Sequence, residues 1–148
     1  YAYMREHADK IAISFDYSFF ETEYDLPSHY NKYQKWAAGR QTLIRHMIRD
    51  GIIDNYKPHH LLGAGLPQEF AEYVDHKWVD TIDTSNPVIH GIAGIPYEEW
   101  NGLWGLDDKD PTKLFTLMEE DVSEKYPEIV YNILKFRENL ELVGQTNE

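Results

Sequence analysis

Asp83 is the residue of this sequence whose position best suits it for chemistry. It directly follows residues 78–82, WVDTI, which predict a β-strand. The next three residues, Thr84, Ser85 and Asn86, offer hydrogen-bond donors that would keep the carboxylate ionised. An ionised and oriented carboxylate can act as a nucleophile toward the anomeric carbon of a sugar. Asp83 can also cap the turn that follows it, and spacing alone favours that structural role.

A glycine-containing loop follows the preceding predicted strand. That strand covers residues 59–62, and Gly63, Ala64 and Gly65 come directly after it. Glycine allows a tight turn and a close approach of the backbone to a ligand. The segment is too short to be either a phosphate-binding GxxxxGK[ST] loop or a dinucleotide-binding GxGxxG loop.

Asp16 occupies the corresponding position after the first predicted strand, residues 10–15. It can serve as a second acid or base, or as a loop cap, and the sequence alone favours the cap. Active sites of parallel α/β folds form at the carboxyl ends of the strands. We therefore expect Asp16, Gly63 and Asp83 at the same edge of one parallel sheet. Asp80 is expected at the surface or against a helix.

Three histidines suggest a metal site, but their predicted positions argue against it. His59 and His60 begin their strand, so we expect them at the floor of the sheet, on the other side from Asp83. Metal ligands must converge to about 2 Å from one ion, and His90 alone does not complete a set with Asp83. The sequence contains 0 cysteines, which excludes disulfides and thiolate ligands. We predict neither a metal nor a cofactor.

An amphipathic helix is predicted over residues 30–50, because apolar side chains recur there at three-to-four spacing. Gly51 is placed to cap its carboxyl end. Its basic residues are interpreted as a solvated helix face; they are Arg40, Arg45, His46 and Arg49.

Loops and shorter helices are predicted for the rest of the chain. Residues 17–30 predict a long loop, and residues 86–96 a second loop with a short strand at residues 88–90. Helical segments are predicted, in chain order, at residues 67–74, 97–104 and 110–120, and from Pro127 onward. The apolar face of the last helix is expected to comprise Ile129, Val130, Ile133, Leu134, Phe136 and Leu140.

The alternation of strands and helices predicts the α/β class, with a parallel sheet, helical crossovers and extra carboxyl-terminal helices. The 148 residues suit a single domain, residues 1–148. Three predicted strands cannot close a barrel, so one sheet edge stays open, which favours association with another chain.

The composition describes an acidic chain with enough apolar residues for a core. It is 42% hydrophobic, and its net charge of −12 disfavours tight binding of a phosphate backbone by this chain alone. No apolar run reaches the roughly 20 residues that span a bilayer, so we expect no membrane interaction. No signal peptide is visible, and a cytoplasmic location is expected.

Two segments resemble the tRNA-guanine transglycosylase family. KPHHLLGAGLPQEF, residues 57–70, is similar to a KPxYLMGVGTPEDL-like segment of that family. A second segment of that family is a strand that ends in a phenylalanine–aspartate pair and is followed by a proline and a glycine. It is similar to DTIDTSNP, residues 80–87, together with Gly91. Here Ile82 and Asp83 stand in place of the pair, and the interval between the two segments is similar.

The resemblance implies part of a (β/α)8 TIM barrel that exchanges guanine for a deazaguanine in a nucleic acid; a phage lineage acting on DNA is conceivable. The nucleophile would be Asp83. Implied substrate-binding residues are Asp16, Gly63, Ala64, Gly65 and Thr84.

The sequence also departs from the family pattern. The family's zinc site of three cysteines and one histidine cannot form, and IAISFD at residues 11–16 replaces its Gly-Gly base-recognition motif. The base-reading aspartates belong to an amino-terminal half that has no counterpart here. These departures predict the carboxyl-terminal part of a barrel, or a diverged relative, whose site needs a completing segment or partner chain.

Two other functions stay open. A non-catalytic interaction domain on a half-barrel scaffold would use tryptophans as contact anchors; the candidates are Trp36, Trp100 and Trp104. An unrelated small hydrolase-like or sugar-binding α/β domain is the third interpretation.

Overall fold

This computed structural model describes residues 1–15, 17–63, 65–97 and 121–145 of the chain. The described residues are built around one parallel sheet. Its strands are β1 (Ile11–Ile13), β2 (His59–Leu61) and β3 (Val79–Ile82), and β2 lies between the other two. Each strand lies within a segment for which the sequence predicts one. With the helices between the strands, the sheet confirms the predicted mixed α/β class.

Helices connect the strands and continue after them. In chain order they are α1 (Ala2–His7), α2 (Tyr17–Glu23), α3 (Lys32–Arg49), a 3-10 helix (Pro67–Glu72), α4 (Asn86–Ile92), a short 3-10 helix (Ser123–Lys125) and α5 (Tyr126–Gln145). The sequence did not predict α1, which buries none of its residues. The helix predicted at residues 110–120, and all of the predicted turn beyond Tyr97, lie outside the described residues.

The long helix α3 begins and ends at the signals that the sequence carries. The side chain of Asn31 accepts a hydrogen bond from the Gln34 N–H at 3.0 Å, and Gln34 Oε1 accepts from the Asn31 N–H at 2.9 Å. This reciprocal pair satisfies two backbone donors that the helix cannot satisfy itself. Gly51 follows the helix with φ +67°, the left-handed conformation that glycine adopts at little cost.

The prediction of a loop over residues 17–30 is wrong for its first part, where α2 forms. Phe20 of α2 is 1% exposed and packs against Gly39 of α3, where a methyl group would overlap its ring. Since α2 is two turns long, it shows too little periodicity to be recognised from sequence. Its position depends on the missing side chain at Gly39.

The short strand predicted at residues 88–90 is also wrong, because these residues belong to α4. Pro87 lies in the first turn of this helix, where a proline has no hydrogen bond to lose. Gly91 lets α4 approach α5 closely: a Cβ at Gly91 would lie 2.6 Å from the Cα of Ile129. This packing outweighs the β-propensity of Val88 and Ile89.

Helix α5 buries a face that is only partly the predicted one. Ile129 and Phe136 are buried as expected, but Leu134 is 57% exposed, so its predicted place on the apolar face is wrong. Asn132 and Asn139 are buried on that side instead. Buried amides require hydrogen-bond partners, and those of Asn132 come from Pro87 of α4 and from the segment after that helix.

The two faces of the sheet differ. Ile13 and Leu61, which pair in register, are buried in the apolar core that includes residues of α3. On the opposite face Ala12 and Thr81 are exposed and His60 is half-buried. Asp83 extends the same row of side chains beyond β3, so the candidate site lies on the more open face.

Candidate active site

The register between β2 and β3 brings three polar side chains together. The ladder skips Asp80, so that His60 pairs with Thr81. An irregularity of this kind re-aims the side chains that follow it. Asp83 lies two residues beyond Thr81 and therefore projects from the same face of the strand.

The carboxylate of Asp83 is held through one of its two oxygens. Oδ1 accepts a hydrogen bond from the backbone N–H of Gly63 at 3.1 Å and lies 2.9 Å from Nε2 of His60. Within the described residues Oδ2 accepts no hydrogen bond, and 58% of the side chain is exposed. Asp83 thus combines a fixed orientation with an accessible oxygen.

The expectation that Thr84 and Asn86 donate to Asp83 is wrong. The hydroxyl of Thr84 instead accepts the backbone N–H of Asn86 at 3.1 Å. Because α4 begins at Asn86, this residue turns into the core and becomes fully buried. Of the three residues predicted at one edge of the sheet, Gly63 and Asp83 do meet there, and Asp16 lies outside the described residues.

The expectation that His60 faces away from Asp83 is wrong as well. The strand β2 has only three residues, about 10 Å in length, so an imidazole at its middle residue reaches the carboxyl edge. Nδ1 of His60 lies 2.8 Å from the hydroxyl of Thr81, while Nε2 contacts Asp83. A hydroxyl, an imidazole and a carboxylate thus form one chain of hydrogen bonds.

Two buried side chains hold the carbonyl groups on either side of the glycine turn. Gly63 has φ +64°. The guanidinium of Arg40 donates to the carbonyl oxygen of Leu62. The amide of Asn86 donates to the carbonyl oxygen of Gly65 at 2.9 Å. The turn that presents the Gly63 N–H to Asp83 is therefore fixed from both ends.

Arg40 belongs to a fully buried ion pair, so its interpretation as part of a solvated helix face is wrong. Its Nε and Nη2 donate to the two carboxylate oxygens of Glu69 at 2.5 and 2.8 Å, and both side chains are 0% exposed. Burial alone would lower the pKa of Arg40, but the charge of Glu69 and its hydrogen bonds raise it above its usual value. The guanidinium also lies 4.5 Å from the ring centre of Phe15.

A second buried network connects α4 to α5. The hydroxyl of Tyr97 donates to Oδ1 of Asn86, and the backbone N–H of Tyr97 donates to Oδ1 of Asn132 at 2.8 Å. Asn132 in turn donates to the carbonyl oxygen of Ile95 at 2.9 Å. Burial raises the pKa of Tyr97, which keeps its hydroxyl protonated as a donor. The glycine turn is thereby coupled to α5 through Asn86.

The other two histidines lie apart from Asp83. His59 is buried on the core face, where its Nε2 contacts the hydroxyl of Tyr1 at 2.7 Å and its Nδ1 contacts the carbonyl of Lys57 at 2.8 Å. His90 contacts the backbone carbonyl of Asn86 at 2.9 Å. Among the described residues, no group of three or more histidine, aspartate or glutamate side chains could hold a metal ion.

Several predicted residues are not part of the observed cluster. Asp16, Ala64, Trp100 and Trp104 lie outside the described residues. Trp36 is 6% exposed and belongs to the core, so it is wrong as an exposed contact anchor. Asp80 is half-exposed and pairs with Lys10. No helix in the described ranges has both the length and the apolar character needed to cross a membrane.

The sequence singled out His60, Arg40 and Asn86, but their roles in supporting the site were not predicted. The run KPHHLLGAG placed His60 three residues before Gly63, but its partner could only be found from the register between the strands. Arg40 and Glu69 lie 29 residues apart, and no local pattern links them.

The arrangement can support nucleophilic attack by a carboxylate. The hydrogen bonds from Gly63 and His60 fix the rotamer of Asp83, and 58% of its side chain is exposed. A positioned carboxylate of this kind can form a covalent bond to a sugar carbon. The chain matches no family model, no curated protein and no solved structure in the three comparisons made.

Proposed function

We propose that this chain carries the nucleophile of a transglycosylase-like base exchange, in which guanine in a nucleic acid is replaced by a deazaguanine. The observation that carries the proposal is the carboxylate of Asp83. It lies at the carboxyl edge of a parallel sheet, its Oδ1 accepts the Gly63 N–H at 3.1 Å, and 58% of the side chain is exposed. Covalent glycosyl transfer needs an oriented and accessible carboxylate of this kind.

The proposed reaction proceeds by two displacements at one sugar carbon. Oδ2 of Asp83 forms a bond to C1′ of the nucleotide as the C1′–N9 bond breaks, and its electron pair leaves with guanine, which takes up a proton. The ring nitrogen of the incoming base then attacks C1′ and loses a proton as the C1′–Oδ2 bond breaks. The carboxylate of Asp83 is restored, and the sequence needs no oxidant or reductant.

The glycine turn is the proposed base-binding element. Gly63 donates its N–H to Asp83, and Gly65 follows two residues later. Glycines allow the backbone to approach a ligand closely. Thr84 follows Asp83 directly and is proposed to contact the same substrate. Asp16 and Ala64 remain predictions from the sequence resemblance.

A partial TIM barrel is the proposed architecture. In the described sheet, helix α3 packs on the face of Ile13 and Leu61, whereas Ala12 and Thr81 on the opposite face are exposed. In a complete (β/α)8 barrel, helices cover the outer face and further strands enclose the inner one. A second segment or a second chain would supply those strands, and a cytoplasmic location fits an enzyme that modifies nucleic acids there.

Incorporation of radiolabelled guanine tests the activity directly. We expect the chain, with its completing partner if it has one, to exchange labelled guanine into RNA or DNA. Asp83→Asn should abolish incorporation, whereas Asp80→Asn, on the same strand and outside the cluster, should preserve it. Incorporation that survives Asp83→Asn contradicts the assignment of the nucleophile.

The exposed sheet face also supports the second candidate, a protein-interaction domain. Both candidates predict association, which light scattering on the purified chain measures. Association together with base exchange favours the enzyme, and association without exchange favours the interaction domain. A strictly monomeric chain at high concentration contradicts the half-barrel architecture.

A further inference from the structure

We infer that His60 is a positioning residue for Asp83 and that Thr81 selects the tautomer of its imidazole ring. The inference rests on the proposed role of Asp83 as a nucleophile. It concerns how the carboxylate is oriented, which neither the resemblance nor the position of Asp83 explains.

The contact between His60 and Thr81 exists because the pairing of β2 with β3 skips Asp80. If the register were regular, His60 would pair with Asp80, whose side chain instead lies at the surface beside Lys10. The irregularity places Thr81 opposite His60, so that the hydroxyl lies 2.8 Å from Nδ1. Strand irregularities that re-aim side chains are common beside active sites.

The chemistry of the three groups fixes the direction of each hydrogen bond. An ionised carboxylate can only accept, so the proton on the ring of His60 must lie on Nε2, which is 2.9 Å from Oδ1 of Asp83. A neutral imidazole has a single N–H, and Nδ1 must then accept. The hydroxyl of Thr81 is the donor at 2.8 Å. Thr81 therefore stabilises the one tautomer that can donate to Asp83.

Both donors act on Oδ1, with consequences for the reaction. Gly63 and His60 approach the same oxygen at 3.1 and 2.9 Å. This fixes the rotation of the carboxylate and leaves Oδ2 without a hydrogen bond from the described residues. Misplacement of a reacting group by about 1 Å can cost roughly 100-fold in rate, so a residue that fixes this rotation affects turnover without touching the substrate.

The tautomer can be measured without any activity. Two-bond nitrogen–proton spectra of ¹⁵N-histidine-labelled protein, recorded at about pH 8 where an unperturbed imidazole is neutral, distinguish an Nε2–H ring from an Nδ1–H ring. The spectrum of His60→Gln assigns the signal. We expect the Nε2–H form of His60 in the wild type and in Asp80→Asn, and a mixture of the two forms in Thr81→Val. Valine suits an exposed strand position, so this variant should fold.

Turnover in the base-exchange assay provides the second measurement. Thr81→Val and His60→Gln should lower kcat by about 10- to 100-fold and leave KM within a factor of about two, because neither removes a contact to the substrate. Asp80→Asn should leave both constants unchanged.

The two measurements separate the inference from the proposed function. An Nδ1–H ring in the wild type overturns the positioning role of His60, even if base exchange depends on Asp83. A tautomer that Thr81→Val leaves unchanged overturns the role of Thr81. The expected tautomers without base exchange overturn the nucleophile role and leave the hydrogen-bond assignment standing.

Discussion

The backbone N–H of Gly63 donates to Oδ1 of Asp83 at 3.1 Å, across 20 residues of sequence. This bond joins the turn after β2 to the end of β3. It depends on the left-handed conformation of Gly63, at φ +64°, which aims the N–H at the carboxylate. The candidate nucleophile is thus oriented by the backbone of a turn whose conformation other residues rarely adopt.

Gly63→Ala should therefore weaken both stability and activity. A Cβ at Gly63 would lie 3.4 Å from Cβ of Phe15, which is ordinary contact, so the cost comes from the backbone conformation. We expect a loss of about 1 kcal/mol in the free energy of unfolding, measured by urea denaturation, and a loss of base exchange. Gly51→Ala is the matched control, because Gly51 has φ +67° and no neighbour within 4 Å. It should lose similar stability and keep activity; equal activities of the two variants contradict the role of the turn.

The buried pair of Arg40 and Glu69 should be a major contributor to stability. Arg40→Met leaves the carboxylate of Glu69 buried without its partner, and we expect a loss of about 3–5 kcal/mol in the free energy of unfolding. Arg45→Met is the matched control on the same helix: Arg45 pairs with Glu72 at the surface, with side chains 54% and 37% exposed. Arg45→Met should lower the free energy of unfolding by less than about 1 kcal/mol.

The double variant Arg40→Met with Glu69→Leu keeps the prediction testable if Arg40→Met does not fold. Removing both charges should recover much of the stability, because no buried charge is then left without a partner. Equal losses for Arg40→Met and Arg45→Met would show that the buried pair does not contribute as described.

His59 should make stability depend on pH. Burial lowers the pKa of His59, and the hydrogen bond of its Nδ1 with the carbonyl of Lys57 only partly opposes this. The unfolded chain therefore takes up this proton first as the pH falls below about 6.5, and stability is lost there. Chemical denaturation between about pH 5 and pH 8 should show the advantage of the wild type over His59→Gln shrinking as the pH falls. The same comparison with His29→Gln, at an exposed histidine, should show no such change.

The sequence predicts the parts of this fold that local patterns determine. Each of the three strands was located as a short segment followed by a polar residue or a glycine. The rule that active sites form at the carboxyl ends of parallel strands predicted that Gly63 and Asp83 lie close together, as they do. Gly51 marks the end of α3 through chemistry confined to a few residues.

The parts that could not be predicted depend on contacts between distant residues. His60 meets Thr81 only because the ladder skips Asp80, and a one-residue change of register reverses the face of every side chain that follows. Helix α4 is stabilised by the close packing of Gly91 on Ile129, which lies 38 residues further along the chain. Such contacts leave no periodic signal in the sequence. The prediction at residues 88–90 therefore followed the local propensity for strand.

The most direct test of the central claim is to trap the covalent bond between Asp83 and the sugar. The chain, with its completing partner if it has one, is incubated with guanosine-containing RNA or DNA in the absence of an acceptor base, denatured, digested and analysed by mass spectrometry. We predict a nucleic-acid adduct on the peptide that contains Asp83, present in Asp80→Asn and absent in Asp83→Asn. An adduct on another residue, or base exchange that proceeds without an adduct on Asp83, would contradict the proposed mechanism.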